Sequence, residues 1–191
     1  FVSRYEDGQL LEVDFKAYHP HIIAHLCDYD FGNENVYEHL AKYYFDTLTP
    51  TKEQTTKAKE FTFNQMYGGI NKKYLDIEFF AKAKAYLTQL WKQFKEDGYV
   101  ESSISGRRFY AENMEDMSDS MTETELNGIF LDKILSAIDT NKATPILYTY
   151  DSVAFDCKKE YINKIISEII ASAGTKFPVT VKVGDNYKEM T

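Results

Sequence analysis

The stretch LLEVDFKAYHPHIIAHL, residues 10–26, decides how the chain folds. Leu10, Leu11 and Val13 concentrate apolar side chains in four residues and read as a buried strand that ends at Asp14. From His19 to Leu26 the apolar spacing tightens to that of a helix. Asp14 therefore stands at the carboxyl end of a strand, where a side chain leaves the core and points into a cleft.

Working outward, the apolar positions Val36, Tyr37, Leu40, Ala41, Tyr44 and Phe45 mark one face of a second helix over 34–45. Thr49-Pro50 opens a third, with Pro expected in the first turn, where its missing N–H costs nothing. It runs to Tyr67 and stops at Gly68-Gly69. A long helix follows over 77–97, with Phe80, Ala83, Leu87, Leu90, Trp91 and Phe94 expected inward and Gly98 as its stop. Residues 99–110 read as a hairpin around Ser105-Gly106, and 121–138 as a helix. Residues 145–150 and 153–156 are two short strands joined by a tight turn at Asp151-Ser152. A helix with Ile162, Ile165, Ile166, Ile169 and Ile170, then a strand over 178–183, close the chain. The order predicts an α+β fold, an antiparallel sheet backed by helices with a helical insertion between its strands.

The 191 residues carry 22 Lys+Arg against 30 Asp+Glu, a net charge of −8, so there is no long-range attraction for nucleic acid and any contact with it must be local. Apolar residues at 43% and only four prolines exclude disorder and low-complexity classes. Cys27 and Cys157 lie far apart without a ligand pattern, which favours a reducing, cytoplasmic setting over a disulfide scaffold. No run reaches the roughly 20 apolar residues of a membrane span. The opening FVSRYEDGQLLEVD begins without Met and reads as the approach to a strand already under way, as in a piece of a longer chain.

Two carboxylates stand at the tips of apolar strands, Asp14 and Asp151. If those ends are neighbours, the pair can hold two Mg²⁺ ions about 3.5–4 Å apart, the arrangement used in phosphoryl transfer. The plainer reading of Asp151 is a turn aspartate held by backbone hydrogen bonds. On the third helix Lys59, Phe63 and Tyr67 recur every four residues and share one face: a cation for a triphosphate, a ring for a base or sugar, and a phenol beside a glycine pair. The plainer reading here is an amphipathic helix with Phe63 and Tyr67 in the core and Lys59 in solvent. His19, His21 and His25 lie close together, but no acidic or Cys ligand sits at a convincing zinc spacing.

The run from Asp14 to Leu26 resembles motif A of the family-A DNA polymerases, D-Y-S-Q-I-E-L-R-x-x-A-H-L. Lys59, Phe63 and Tyr67-Gly68 resemble motif B, K-x-x-x-F/Y-x-x-x-Y-G. Tyr150-Asp151-Ser152 with Phe155 resembles motif C, H-D-E-x-x-F, and residues 179–187 are similar to the family's closing strand and its G-x-N-W ending. Gly106-Arg107-Arg108 resembles a G-R-R segment, and Asn127-Gly128 with Asp132 resembles Q-G-x-x-A-D. The likeness covers nearly the whole chain.

The resemblance implies a palm over 1–33 and 99–191 and helical fingers over 34–98, with the family's thumb and any exonuclease region lying outside this sequence. It implies Asp14, Asp151 and the Phe15 carbonyl as ligands of two Mg²⁺ ions. Lys59, Phe63, Tyr67, His19 and Phe15 would serve the incoming dNTP, and Arg107, Arg108 and Asn127 the primer–template DNA, in the cytoplasm of a bacterial or phage-infected cell. The chain departs from the pattern at Thr55, where motif B has Arg, at Ser152, where motif C has Glu, at His19, where motif A has Glu, and at Asp119, where a later helix has Arg. Ser152 is also what the motif C of phage-type single-subunit RNA polymerases carries. Thr55, Asp119 and Ser152 together motivate a further alternative, a non-catalytic palm acting as a binding module.

Overall fold

The structure, a computed structural model, describes residues 1–101, 106–110, 131–149, 151–174 and 177–190. The chain divides into two compact units, one of residues 1–18 with 126–191 and one of residues 19–125.

The first unit is built on strand β1 (Gly8–Phe15), which lies between two partners in a four-stranded antiparallel sheet of order β4-β5-β1-β6. The other strands are β4 (Ala143–Thr149), β5 (Ser152–Lys158) and β6 (Val179–Gly184). Strand alternation sorts the side chains of β1. Leu11, Val13 and Phe15 share one buried face with Phe155 and Val153 of β5, while Glu12 and Asp14 take the other. Two helices back the unit, α5, helical over residues 131–137 with Ile134 buried, and α6 (Ile162–Ala173), which buries Ile162, Ile165, Ile169 and Ala173. Pro145 sits in β4, the edge strand, beside a register shift before Leu147, where a missing ladder donor is tolerated. The buried Asp156 of β5 ties down the opening segment, accepting from Ser3 Oγ at 2.6 Å, the Arg4 N–H at 3.1 Å and Arg4 Nε at 3.0 Å.

In the second unit, α1 (Tyr18–Leu26) leads into α2 (Val36–Tyr44), α3 (Lys52–Tyr67) and α4 (Glu78–Asp97). Asn35 caps α2 through Tyr37 and Glu38 N–H groups. Thr51 and Gln54 close a reciprocal capping box on α3. Pro50 thus precedes the cap instead of occupying the first turn, because Thr51 supplies the acceptor that proline lacks. Gly98, at φ 78°, ends α4 in the left-handed region. The small strands β2 (Val100–Glu101) and β3 (Arg108–Phe109) form the expected hairpin.

Two packing expectations change. In α4 only the first turns are buried, through Phe79, Phe80 and Ala83, and the rings of Trp91 and Phe94 stack at 5.2 Å, half-buried against Val100 and Phe109 of the hairpin. The strand after the tight turn begins one residue early, since Ser152 already pairs with Thr149 and belongs to β5. The expected helix over 121–138 is described only from 131.

Candidate active site

In the first unit the ladder between β1 and β5 places Asp14 opposite Ser152. One residue on, the Phe15 N–H donates to the Asp151 carbonyl at 2.9 Å. With strands about 4.8 Å apart and a rise of about 3.3 Å per residue, this register sets the Asp14 and Asp151 backbones about 6 Å apart. Both side chains are half-buried at the end of the sheet. Sequence order put these residues 137 positions apart, and only strand pairing brings them together.

Ser152, where the resemblance has a carboxylate, is buried and shares a 2.6 Å hydrogen bond with the Thr149 hydroxyl across the hairpin. Its side chain thus closes the turn that carries Asp151. On the face of β1 that bears Asp14, Lys182 Nζ of β6 donates to Glu12 Oε2 at 3.0 Å. That hydrogen bond and the Glu12 charge hold the Lys182 ammonium above its usual range, and Asp14 adds to the effect. Glu12 belongs to no motif of the resemblance, and Lys182 only to its closing strand; the one signal for the pair is the charged position at Glu12 between the buried Leu11 and Val13. Among the described residues no cluster of three or more His, Cys, Asp or Glu is poised for a metal ion, so any cation here would draw on two carboxylates, carbonyls and its own further ligands.

The second unit answers the question raised by α3. Its buried residues are the small Ala58 and Thr62, and Thr62 donates to the Ala58 carbonyl at 2.7 Å and meets the Tyr44 hydroxyl at 3.2 Å. Phe63 is only half-buried, Tyr67 is 42% exposed and Lys59 is exposed. Phe63 and Tyr67 are therefore not core residues: the buried stripe of α3 is that of Ala58 and Thr62, where Tyr44 of α2 packs. The Phe63 and Tyr67 rings lie parallel, 5.8 Å apart, and the His19 ring stands edge-on to both, at 6.3 and 5.9 Å. Lys59 Nζ lies 5.9 Å from the Phe63 centroid and 5.8 Å from that of Tyr37 on α2. This is an aromatic face with one cation at its edge, suited to stacking a flat ring and neutralising an anion.

The remaining candidates are less committed to a ligand. Arg108 donates to Glu101 at 3.2 Å and lies 4.3 Å over the Tyr99 ring, and Arg107 lies 5.3 Å over Phe109. Asn127 and Asp119 fall outside the described residues. His21 sits edge-on to Phe31 at 5.7 Å, and burial holds its imidazole below the usual pKa, against the opposing charge of Asp30.

No family model matches the sequence, and neither does any curated protein. Among solved structures the chain is similar to the POL domain of Pol1 from M. smegmatis, in complex with DNA primer-template and dNTP, at 18% identity and a TM-score of 0.75. The match covers 97% of this chain and 41% of that one. The likeness shows the fold, a four-stranded antiparallel sheet with its attached helices as in part of that domain, and the chain spans about two fifths of the length of the chain that it matches. Among the described residues no helix is long and apolar enough to cross a membrane.

Proposed function

We propose that the chain is the palm-and-fingers part of a template-directed DNA polymerase of the family-A type, which transfers nucleotidyl groups from dNTPs to a primer 3′-hydroxyl. Residues 1–33 and 99–191 are assigned to the palm and 34–98 to the fingers. The observation that carries this reading is the register that makes Asp14 and Asp151 neighbours at the end of a sheet of this fold.

The donor set suits Mg²⁺, a hard ion that takes one or two carboxylates and completes its shell with other oxygens, for which the Phe15 carbonyl is a third candidate. Bound there, a pair of ions would neutralise charge on the phosphates and favour ionisation of the primer hydroxyl. The chain's own contribution is positional. Asp14 lies on β1 and the Asp151 carbonyl accepts from the next residue of that strand, so the two residues are held as neighbours and would have little backbone entropy left to lose on binding an ion. Lys59 offers an ammonium to the triphosphate, Phe63 a face for the sugar and base, and Tyr67 with His19 an aromatic wall beside them. Arg107 and Arg108 would meet the DNA backbone, Arg108 only by exchanging Glu101 for phosphate.

Ser152 favours a second reading, a palm that retains the fold without catalysis, because its hydroxyl is spent inside the hairpin. One experiment separates the two. In the intact protein Asp14→Asn or Asp151→Asn should abolish primer extension, and each should weaken Mn²⁺ binding followed by electron paramagnetic resonance. Retained extension in either variant, or Mn²⁺ binding indifferent to both, would overturn the polymerase reading.

A further inference from the structure

Tyr37 belongs to no motif, yet it is placed where the lysine of α3 needs it. On α2, Tyr37 and Tyr44 are two turns apart and so share one face, the one turned toward α3. Tyr44 is spent on packing: its ring meets Phe61 at 5.6 Å and its hydroxyl the Thr62 oxygen at 3.2 Å. Tyr37 lies further along that face, 6.4 Å from the Phe63 ring, and the Lys59 ammonium lies within 6 Å of both centroids. No ion pair among the described residues involves Lys59; its neighbour Lys57 pairs with Glu53 at 2.8 Å instead. One turn earlier, Thr55 Oγ1 donates to the Thr51 carbonyl at 3.1 Å and offers no charge. Two electron-rich ring faces thus border a long, flexible cation.

We propose that Tyr37 is a positioning residue that, with Phe63, holds the Lys59 ammonium in place for the triphosphate of an incoming nucleotide. This rests on the nucleotide-binding reading of α3. A lysine side chain otherwise spends much of its time in rotamers that miss the anion, and each must be given up on binding. Two ring faces restrict it beforehand without neutralising it, as a carboxylate partner would. The gain is realised when nucleotide binds, so it belongs to the nucleotide KM more than to the chemical step.

Two measurements test this. In proton NMR spectra of the chain, the Lys59 ε-methylene signal should be shifted upfield by ring currents in the wild type and in Tyr37→Phe, and should move back toward its ordinary position in Tyr37→Leu. In steady-state single-nucleotide incorporation by the intact protein, Tyr37→Leu should raise the dNTP KM about 2- to 5-fold, the range of an exposed cation–π contact, with kcat changed less. Tyr37→Phe should restore the wild-type KM, and Tyr37→Leu should add nothing in a Lys59→Ala background. An unshifted wild-type signal, a Phe variant as impaired as Leu, or additive effects with Lys59→Ala would overturn the proposal while leaving the nucleotide reading intact. A KM indifferent to Lys59→Ala itself would overturn both.

Discussion

His19 is the residue whose environment says most about selectivity. The resemblance puts a glutamate at this position, beneath the sugar of the incoming nucleotide, and the structure sets the imidazole edge-on to both Phe63 and Tyr67. An imidazole fills about the volume of a carboxylate side chain, so exclusion of a 2′-hydroxyl is expected to survive the exchange. His19→Ala in the intact protein should raise ribonucleotide incorporation relative to deoxynucleotide, by about 1–3 kcal/mol in transition-state discrimination. Steady-state incorporation of one matched pair measures it, and an unchanged ratio would assign the gate elsewhere. The cysteines make a separate prediction. Burial pushes the Cys27 thiol up to about 11 and, with Asp156 nearby, the Cys157 thiol up to about 12. A thiolate is the nucleophile, so neither should react with iodoacetamide at pH 8 until the chain unfolds, as mass spectrometry of native and urea-treated protein would show.

Among the elements, α3 depends most on its ends. It buries only Ala58 and Thr62, so apolar packing stabilises it less than the other long helices, and its capping box carries more of its stability. Thr51→Ala removes the acceptor for the Gln54 N–H and should cost about 1 kcal/mol, within the usual range of 0.5–2, measured by urea unfolding. Thr51→Asp should retain most of that stability, because the carboxylate accepts the same bond and favours the positive end of the helix. Equal losses in both variants would show that Thr51 acts otherwise than as a cap. Strand β1 is the opposite case, paired on both sides and buried at Leu11 and Val13. Leu11→Ala there should cost about 2–5 kcal/mol.

For the whole molecule, several ionisable groups act together on stability. Burial lowers the folded-state pKa of His21 below the unfolded 6.5, so the unfolded chain takes up that proton first and stability falls as pH drops below about 6.5. Hydrogen bonds from Lys42 to Glu34, from Lys57 to Glu53 and from Lys142 to Asp139 lower those carboxyls, whose contribution is present above the unfolded values of 4.5 for the glutamates and 3.8 for the aspartate and is lost as pH falls below them. The half-buried Cys27 and the buried Cys157 act at the other end. Their raised pKa values give stability that is present below about pH 9 and is lost above it. Urea unfolding across pH should therefore show a plateau between about pH 6.5 and 9, and His21→Phe should remove the first decline on the acid side. Charge governs DNA binding too. With a net charge of −8, this chain alone should hold primer–template weakly, as fluorescence anisotropy would show, and tight, salt-insensitive binding would contradict that.

Local features are legible in the sequence, because they depend on neighbours in the chain. The 3.6-residue spacing located α2, α3, α4 and α6, Gly98 ended α4, and the apolar run 10–13 made β1 a buried strand with Asp14 at its end. Motif spacing in the resemblance likewise singled out Asp14, Lys59, Phe63, Tyr67 and Asp151 as candidates, since a short motif is read from neighbours in the chain. Which helix stripe faces the core was decided by tertiary packing. The rings of α3 share a spacing that suits either core or site, and the small Ala58 and Thr62 became the buried stripe only because α2 packs there. Trp91 and Phe94 read as core for the same reason, yet what they meet is the hairpin after α4. The start of β5 at Ser152, the pairing of Asp14 with Ser152, the Glu12–Lys182 contact and the two rings around Lys59 all join residues distant in sequence or on different elements. Such contacts are set by strand register and interhelical packing, which depend on the whole chain folding at once and leave no local periodicity to read.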